Sequence, residues 1–210
     1  MNRSTAIEHS VIDSQDSSGG TLRAAFGLAL ITLLIFGLAY SLLGTGLGRL
    51  MFADRAGGSL IERDGKIVGS ALAAQPFADP RYFVARPSAA SYDLMALAGS
   101  NQARTNPDLR KRVEDARAAV ARREAVEASE VPSDLATQSG SGIDPQISPQ
   151  AARIQVARVA AARGLDAAQV QALVDAHTEG KQLGVLGRPR VNVLELNLAL
   201  DALAQPPAQR

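Results

Sequence analysis

The sequence predicts an α+β protein: one N-terminal transmembrane helix followed by a single soluble domain with a small sheet and three to four helices. Three observations carry this reading. Residues 24–48 form an apolar run without a charged side chain, between Arg23 and Arg49. Asp64-Gly65 sits between two short apolar-containing runs, the strongest short-range signal for a hairpin. Helix-opening and helix-closing residues then recur through the C-terminal half.

Composition narrows the chemistry. The 210 residues hold 22 Lys+Arg against 21 Asp+Glu, a formal net charge of +1, which argues against a nucleic-acid partner. The absence of cysteine excludes disulfides, thiolate metal sites and cysteine nucleophiles. With only His9 and His177 present, a multi-histidine metal site is excluded too.

As a helix at about 1.5 Å per residue, the apolar run reaches roughly 37 Å, enough for a hydrocarbon core of about 30 Å. A signal peptide has a shorter apolar region, about 7–15 residues, after a basic stretch. Here residues 1–22 carry Arg3 against Glu8, Asp13 and Asp16. The run is therefore read as a retained span over 23–48, with a short tail over 1–22 and the domain over 49–210. Flanking charge leaves its orientation open. Arg49, Arg55, Arg63 and Lys66 outnumber Arg23 and Arg3, which taken alone puts the domain in the cytoplasm, but the rule weakens for long translocated segments. Gly37, Ser41, Gly44 and Gly48 share one helical face, either a small-residue stripe for a partner helix or the ordinary glycine content of a membrane helix.

In the domain, residues 59–63 and 66–68 form the hairpin arms. Phe77, Tyr82, Phe83 and Tyr92 are expected to seed the core, with Tyr82-Phe83-Val84 a short strand ended by Arg86-Pro87. Asn106-Pro107-Asp108 opens a helix whose Leu109, Val113, Ala116 and Val120 share a face; mixed charges over 110–130 make it a solvated amphipathic helix. Residues 131–149 are rich in turn formers, yet Val131, Leu135, Ile143 and Ile147 anchor them as an ordered, irregular loop. Ser148-Pro149 starts a helix to Arg163, closed by Gly164. Asp166 and Gln169 box the next, with Val170, Leu173, Val174 and His177 on one face and Gly180 at its close. The final segment is read as a helix boxed by Asn192 and Glu195, with Leu194, Leu198 and Ala202 on its face.

Little in this domain reads as catalytic. Ser139-Gly140-Ser141-Gly142 lacks the G-x-S-x-G spacing of a nucleophile turn, and no phosphate-cradling glycine loop is present. His177, at a helix C-terminus, suits packing and the helix dipole better than a base role. The Gly-Ser loop has two ionic readings, an anion nest of N–H groups or a cation site helped by Asp134 and Asp144, beside the plain reading of side chains capping turns. Arg86 is either a buried pairing arginine or a contact to a partner's carboxylate.

Several segments in one order resemble a family. They are Gly69-Ser70 with Leu72, Gln75 and Phe77; Arg86-Pro87-Ser88-Ala89; Tyr92-Asp93; Gly99-Ser100-Asn101; and Asn106-Pro107-Asp108-Leu109. Val131-Pro132, Ser139-Gly140-Ser141-Gly142, Asp144-Pro145 and Ile147-Ser148-Pro149 follow, then Val191-Asn192-Val193-Leu194 and Asn197 to Asp201. This pattern, over about 22–203, resembles the KdpC family, the C subunits of the bacterial potassium-transporting Kdp ATPase. Ala73-Ala74, Ala98, Gln138, Gln146 and residues 102–104 depart from the family's habit.

The resemblance implies an accessory, non-catalytic subunit of a potassium importer. A channel-like subunit there carries the ion and a P-type ATPase subunit hydrolyses ATP. It further implies a catalytic chaperone that raises ATP affinity, and a large domain outside the inner membrane with the N-terminus in the cytoplasm. No cofactor is expected to bind tightly, ATP and potassium being handled by the complex. An external domain cannot touch cytoplasmic ATP, so such an effect requires coupling through the assembly. The candidate functional residues are Gln75, Arg86, Ser100, Asn101, Ser139, Gly140, Ser141, Gly142 and Asp144, with Gly37, Ser41, Gly44 and Gly48 for membrane docking. Two alternatives stand beside this: direct nucleotide contact by a cytoplasmic domain through Gln75 or the 139–142 loop, and an independent membrane-anchored extracytoplasmic enzyme or binding module.

Overall fold

A computed structural model describes residues 18–204. Most of the tail expected over 1–22, with His9, and the last six residues lie outside the described residues. The chain divides into two compact units, Met1–Ala56 and Gly57–Arg210.

The first unit is helical: α1 (Ser18–Thr32), a π-helical segment (Leu33–Ala39), α2 (Tyr40–Met51) and the short α3 (Ala53–Ala56). Gly19–Met51 is long and apolar enough to cross a membrane, with mean hydropathy 2.3 over its most apolar window and none of that window buried. The bare apolar face fits a span, whose side chains meet lipid instead of a protein core. The π segment was not foreseen, because an i→i+5 pattern leaves no mark in a uniformly apolar run. At its end the Tyr40 N–H donates to the Ile35 carbonyl, five residues back.

The second unit is mixed helix and sheet. Strands β1 (Leu60–Arg63) and β2 (Lys66–Ser70) pair antiparallel. Asp64 (φ 52°) and Gly65 (φ 71°) both take the left-handed conformation that a two-residue hairpin turn requires. Helix α4 (Pro107–Glu124) starts as expected, the Asn106 Oδ1 accepting from Asp108 N at 2.8 Å. It ends at Glu124, short of Glu130, because Ala125 turns left-handed (φ 55°) and a 3-10 turn (Ala128–Glu130) follows. Along it Lys111 bonds Asp115 at 2.9 Å, which raises the lysine's pKa.

The 131–149 stretch is ordered, and Val131, Leu135 and Ile147 are buried. It contains α5 (Ser133–Ala136) and β3 (Gln146–Ile147). Helices α6 (Pro149–Arg153) and α7 (Val156–Arg163) replace the single helix expected over 149–163. At the break, Gln155 N bonds Ala152 O at 3.0 Å, while the Gln155 side-chain amide takes the Ala151 carbonyl at 3.1 Å. The side chain has displaced the backbone from the helical i−4 acceptor. Gly164 (φ 65°) closes α7 in the left-handed cap position.

Helix α8 (Ala167–Ala176) is capped by Asp166, which accepts from Ala168 N at 3.2 Å, and buries Val170 and Val174. It stops before Gly180, since the chain enters β4 (Thr178–Glu179) directly. Strand β5 (Arg190–Asn192) is the centre of a sheet of order β3-β5-β4, antiparallel on both sides. Helix α9 (Val193–Ala204) follows without a loop, Asn192 Oδ1 accepting from Leu194 N at 3.1 Å and Glu195 N at 3.3 Å. Its buried residues are Val193, Leu194, Leu196, Asn197 and Leu200, whereas Leu198 is half-buried and Ala202 exposed. Of the face expected from Leu194, Leu198 and Ala202, Leu194 is buried as expected, and the rest of the buried face turns toward Leu196, Leu200 and a polar residue, Asn197.

Residues 82–84 correct the sequence reading. They form no strand, Tyr82 closing a turn by donating to Asp79 O at 3.1 Å. Phe83 N donates to Asn197 Oδ1 at 2.8 Å, and Asn197 Nδ2 donates to Phe83 O at 2.9 Å. Val84 N and O are met likewise by Gln155 Oε1 at 2.8 Å and Nε2 at 3.2 Å. Two buried amides thus satisfy backbone groups that a neighbouring strand would otherwise take. Phe83 is fully buried, with Phe77 and Tyr92 packed against the core.

Just upstream, Arg81 hydrogen-bonds the exposed Asp79 and lowers its carboxyl pKa to about 2 from 3.8. This contribution is present above 3.8 and is lost as pH falls through about 2.

Candidate functional site

The loop candidates converge on one patch, built from residues 86–101 and 138–148. Arg86 leads into Pro87. Ser88 Oγ then accepts from Ala90 N (3.0 Å) and Tyr92 N (2.9 Å), bending the chain through left-handed Ser91 and Tyr92. Tyr92 Oη donates to Arg86 O at 2.8 Å and closes the turn, and burial pushes the phenol pKa up.

The second strand of the patch lies against the first. Ser139 N donates to Pro87 O at 3.3 Å, and Gln138 Nε2 to Ser88 O at 3.3 Å. Within the Gly-Ser loop, Ser139 Oγ accepts from Gly142 N (2.8 Å) and Ser141 Oγ from Ile143 N (3.2 Å). Gly142 (φ 79°) is obligatory: a Cβ there would lie 2.8 Å from the Ala98 carbonyl oxygen and 2.9 Å from Ala90 Cβ. Gly99 packs on Gly140, whose carbonyl oxygen would be 3.0 Å from a Cβ at 99.

Asp144 ties the patch together. Its Oδ2 pairs with Arg86 Nη1 at 2.9 Å and its Oδ1 accepts from Gln146 N at 3.0 Å. Arg86 Nη2 reaches Gln138 O at 3.5 Å, and its buried Nε has no protein partner. Asp134 is engaged separately, accepting from Ser148 N at 2.7 Å and Ser148 Oγ at 3.3 Å. Turn capping thus accounts for the N–H groups of Gly142, Ile143 and Gln146, whereas Asp134 reaches across to Ser148 and Asp144 also pairs with Arg86. Arg86 is an internal pairing arginine at the rim of a groove of about 750 Å³, which Asp134, Asp144, Gln146, Ser148 and Arg190 also line.

Gln75 lies apart from this patch, while Ser100 and Asn101 follow Gly99 at its end. Gln75 Nε2 donates to Val68 O at 2.9 Å, fastening the chain after the hairpin to β2, where Gly69 leaves room for it. Ser100 is half-buried, and Asn101 is exposed at φ 50°. His177 Nδ1–H donates to the Leu173 carbonyl at 2.9 Å, the helix-end role its position suggests. In the first unit, a Cβ at Gly37, Gly44 or Gly48 would meet nothing within 4 Å.

Sequence reading missed a buried ionic cluster. Glu124, last in α4 and buried, pairs with Arg123 and with Arg158 Nε (2.8 Å). Arg158 also donates to the carbonyls of Pro80 and Tyr82 and to Gln155 Oε1 (2.9 Å). A second cluster joins Arg163 and Tyr82 Oη to Asp201. The mixed charge of α4 hinted at the first, and no local signal at the second.

The Asp144 clasp yields a prediction. Asp144→Ala strands Arg86 and should destabilise the domain by about 1–3 kcal/mol, whereas Asp144→Asn, which keeps the bond from Gln146 N, should cost less. Thermal melts of the two variants and the wild type in detergent check this; a wild-type midpoint for both variants would remove the clasp from the account.

The comparison with known proteins decides the family. The family described as "K+-transporting ATPase, c chain" (KdpC) matches residues 22–202, the apolar helix and the domain in one run. The chain belongs to the KdpC family. It is 58% identical over 182 residues to the potassium-transporting ATPase KdpC subunit of Xanthomonas oryzae pv. oryzae, covering 87% of each chain. With the KdpC subunit of Xanthomonas axonopodis pv. citri it shares 57% identity over 87% of this chain and 89% of the relative. With that of Methylococcus capsulatus the figure is 51%, over 86% and 97%. As a KdpC chain it is the C subunit of a K+-transporting ATPase complex.

Proposed function

We propose that this KdpC chain is a non-catalytic subunit held in the inner membrane by one helix, with its N-terminus in the cytoplasm and its domain outside. There it caps the external mouth of the channel-like subunit and stabilises the complex. It raises the ATP affinity of the P-type ATPase subunit by coupling through the assembly. The observation that carries this reading is the single unbroken family match over span and domain, residues 22–202. The polar side chains of the 86–101 and 138–148 patch support it: they bond mainly to one another and to backbone, as in a rigid cap. Gly37, Ser41, Gly44 and Gly48 are the proposed face for a neighbouring membrane helix, since small residues let backbones approach in lipid.

A coupling of this kind is typically about 1–3 kcal/mol, so removing the chain should weaken ATP binding by the complex about 5- to 150-fold. Two measurements test the reading together. A phosphatase reporter fused after Arg210 should be active outside the cell membrane, and ATP titration of the complex with and without this chain should show the shift. A cytoplasmic reporter signal would overturn the cap and leave direct nucleotide contact. Equal ATP affinities would end the chaperone role.

A further inference from the structure

The hairpin joining β4 and β5 is built unlike the rest of the domain. At its base Thr178 pairs with Val191 and Glu179 with Arg190, and the Arg190–Glu179 ion pair is 2.6 Å. Farther out, Gln182 and Leu186 exchange two backbone hydrogen bonds of 2.9 Å each. The turn between them places Leu183 at φ 52° and Gly184 at φ 75°, with Gly187 at φ 77° just beyond. A left-handed leucine is costly, since its Cβ crowds the backbone.

That leucine is also bare. Leu183 is 90% exposed, Val185 73% and Leu186 56%, so three large apolar side chains crown a tip that touches no core. Lys181 and Arg188 flank them, exposed and without an ion pair among the described residues. The mount is firm, because β5 is the central strand and Val191 is fully buried. Strain and apolar exposure on a rigid base mark a contact made elsewhere.

We propose that the 181–188 tip is the plug by which the domain docks on the channel-like subunit, its three apolar side chains filling a depression with an acidic rim. This rests on the cap reading above. The charge argument chooses the occupant: an entrance that gathers potassium gathers it with acidic groups, and Lys181 and Arg188 complement such a surface. Leu183, Val185 and Leu186 supply the desolvated centre that such contacts need, and the preformed turn lowers the ordering cost of binding.

The chain has no cysteine, so single-cysteine variants report on the tip directly. Leu183→Cys, Val185→Cys and, as an exposed reference on α4, Ala119→Cys are each prepared in the whole complex and as the full chain alone in micelles. Modification by a membrane-impermeant maleimide should slow by about tenfold or more at 183 and 185 in the complex, and not at 119. Equal rates in both states overturn the plug. Protection of the chain alone in phosphatidylcholine–phosphatidylglycerol vesicles overturns it in favour of lipid, and concentration-dependent protection of the chain alone in favour of a second copy. Charge reversal, Lys181→Glu with Arg188→Glu, should lower recovery of the complex without moving the chain's own melting temperature; unchanged recovery again counts against the plug. A wild-type chain that fails to co-purify with the channel-like subunit sinks the cap reading itself. A wild-type chain that co-purifies with a fully reactive tip sinks only the plug.

Discussion

Replacing Arg158 with methionine should lower the melting temperature of the domain by a large amount, matched among the changes considered only by Asn197→Leu. The substitution leaves the Glu124 carboxylate buried beside Arg123 alone and removes donors from the Pro80 and Tyr82 carbonyls and from Gln155. Glu124 is also the last residue of α4, where the helix dipole already disfavours a negative charge. Stripping one partner from a buried pair costs about 3–5 kcal/mol. At about 2–4 °C per kcal/mol for a domain of this size, the midpoint should fall by roughly 6–20 °C. The double variant Glu124→Gln with Arg158→Met should recover part of the loss, because no uncompensated charge remains. Thermal unfolding of the full chain in micelles reads both, and a midpoint shift below about 2 °C for Arg158→Met would mean that water compensates the carboxylate.

Asn197→Leu should come next. Leucine fits an apolar helix face by volume, yet it removes both the acceptor for Phe83 N and the donor to Phe83 O. Two buried backbone groups left unpaired cost about 1–3 kcal/mol each, together about 2–6 kcal/mol. The loss should be local as well as global: the Phe83 amide should exchange its hydrogen faster, while the β1–β2 hairpin keeps its protection. Hydrogen exchange by mass spectrometry of the 80–87 segment checks this. Unchanged exchange there would show that the amide clasp is dispensable.

How much of this was legible in the sequence follows a physical line. Features set by neighbouring residues were readable. Asp64-Gly65 needs two left-handed residues and has them, and Asn106, Ser148 and Asp166 cap the helices they precede. What escaped depended on residues far away in the chain. Tyr82-Phe83-Val84 has strand-forming side chains, but its partners are amides 114 and 71 positions away. The same amides explain why α9 presents Asn197 to the core and why α6 and α7 are separate, neither of which an apolar pattern can encode. Of the candidate site, turn capping by Ser139, Ser141 and Asp144 was readable locally, whereas the pairing of Arg86 with Asp144, 58 positions apart, was not. The 183–186 tip was missed because apolar residues in sequence suggest burial, and only the fold reveals these as bare.

The C-terminal segment has a consequence in time. Asn192 donates to Ala71 O at 2.8 Å, Asn197 holds Phe83, and Asp201 receives Tyr82 and Arg163. The fastenings of the domain's N-terminal half are thus made later than the residues they hold. At about 5–20 residues per second, roughly 10–30 s separate synthesis of the apolar helix from that of α9. Through that interval the nascent domain has its apolar helix but lacks these fastenings. On the outward placement proposed above, this order of synthesis would leave the polypeptide free to be threaded through a translocation channel until α9 arrives.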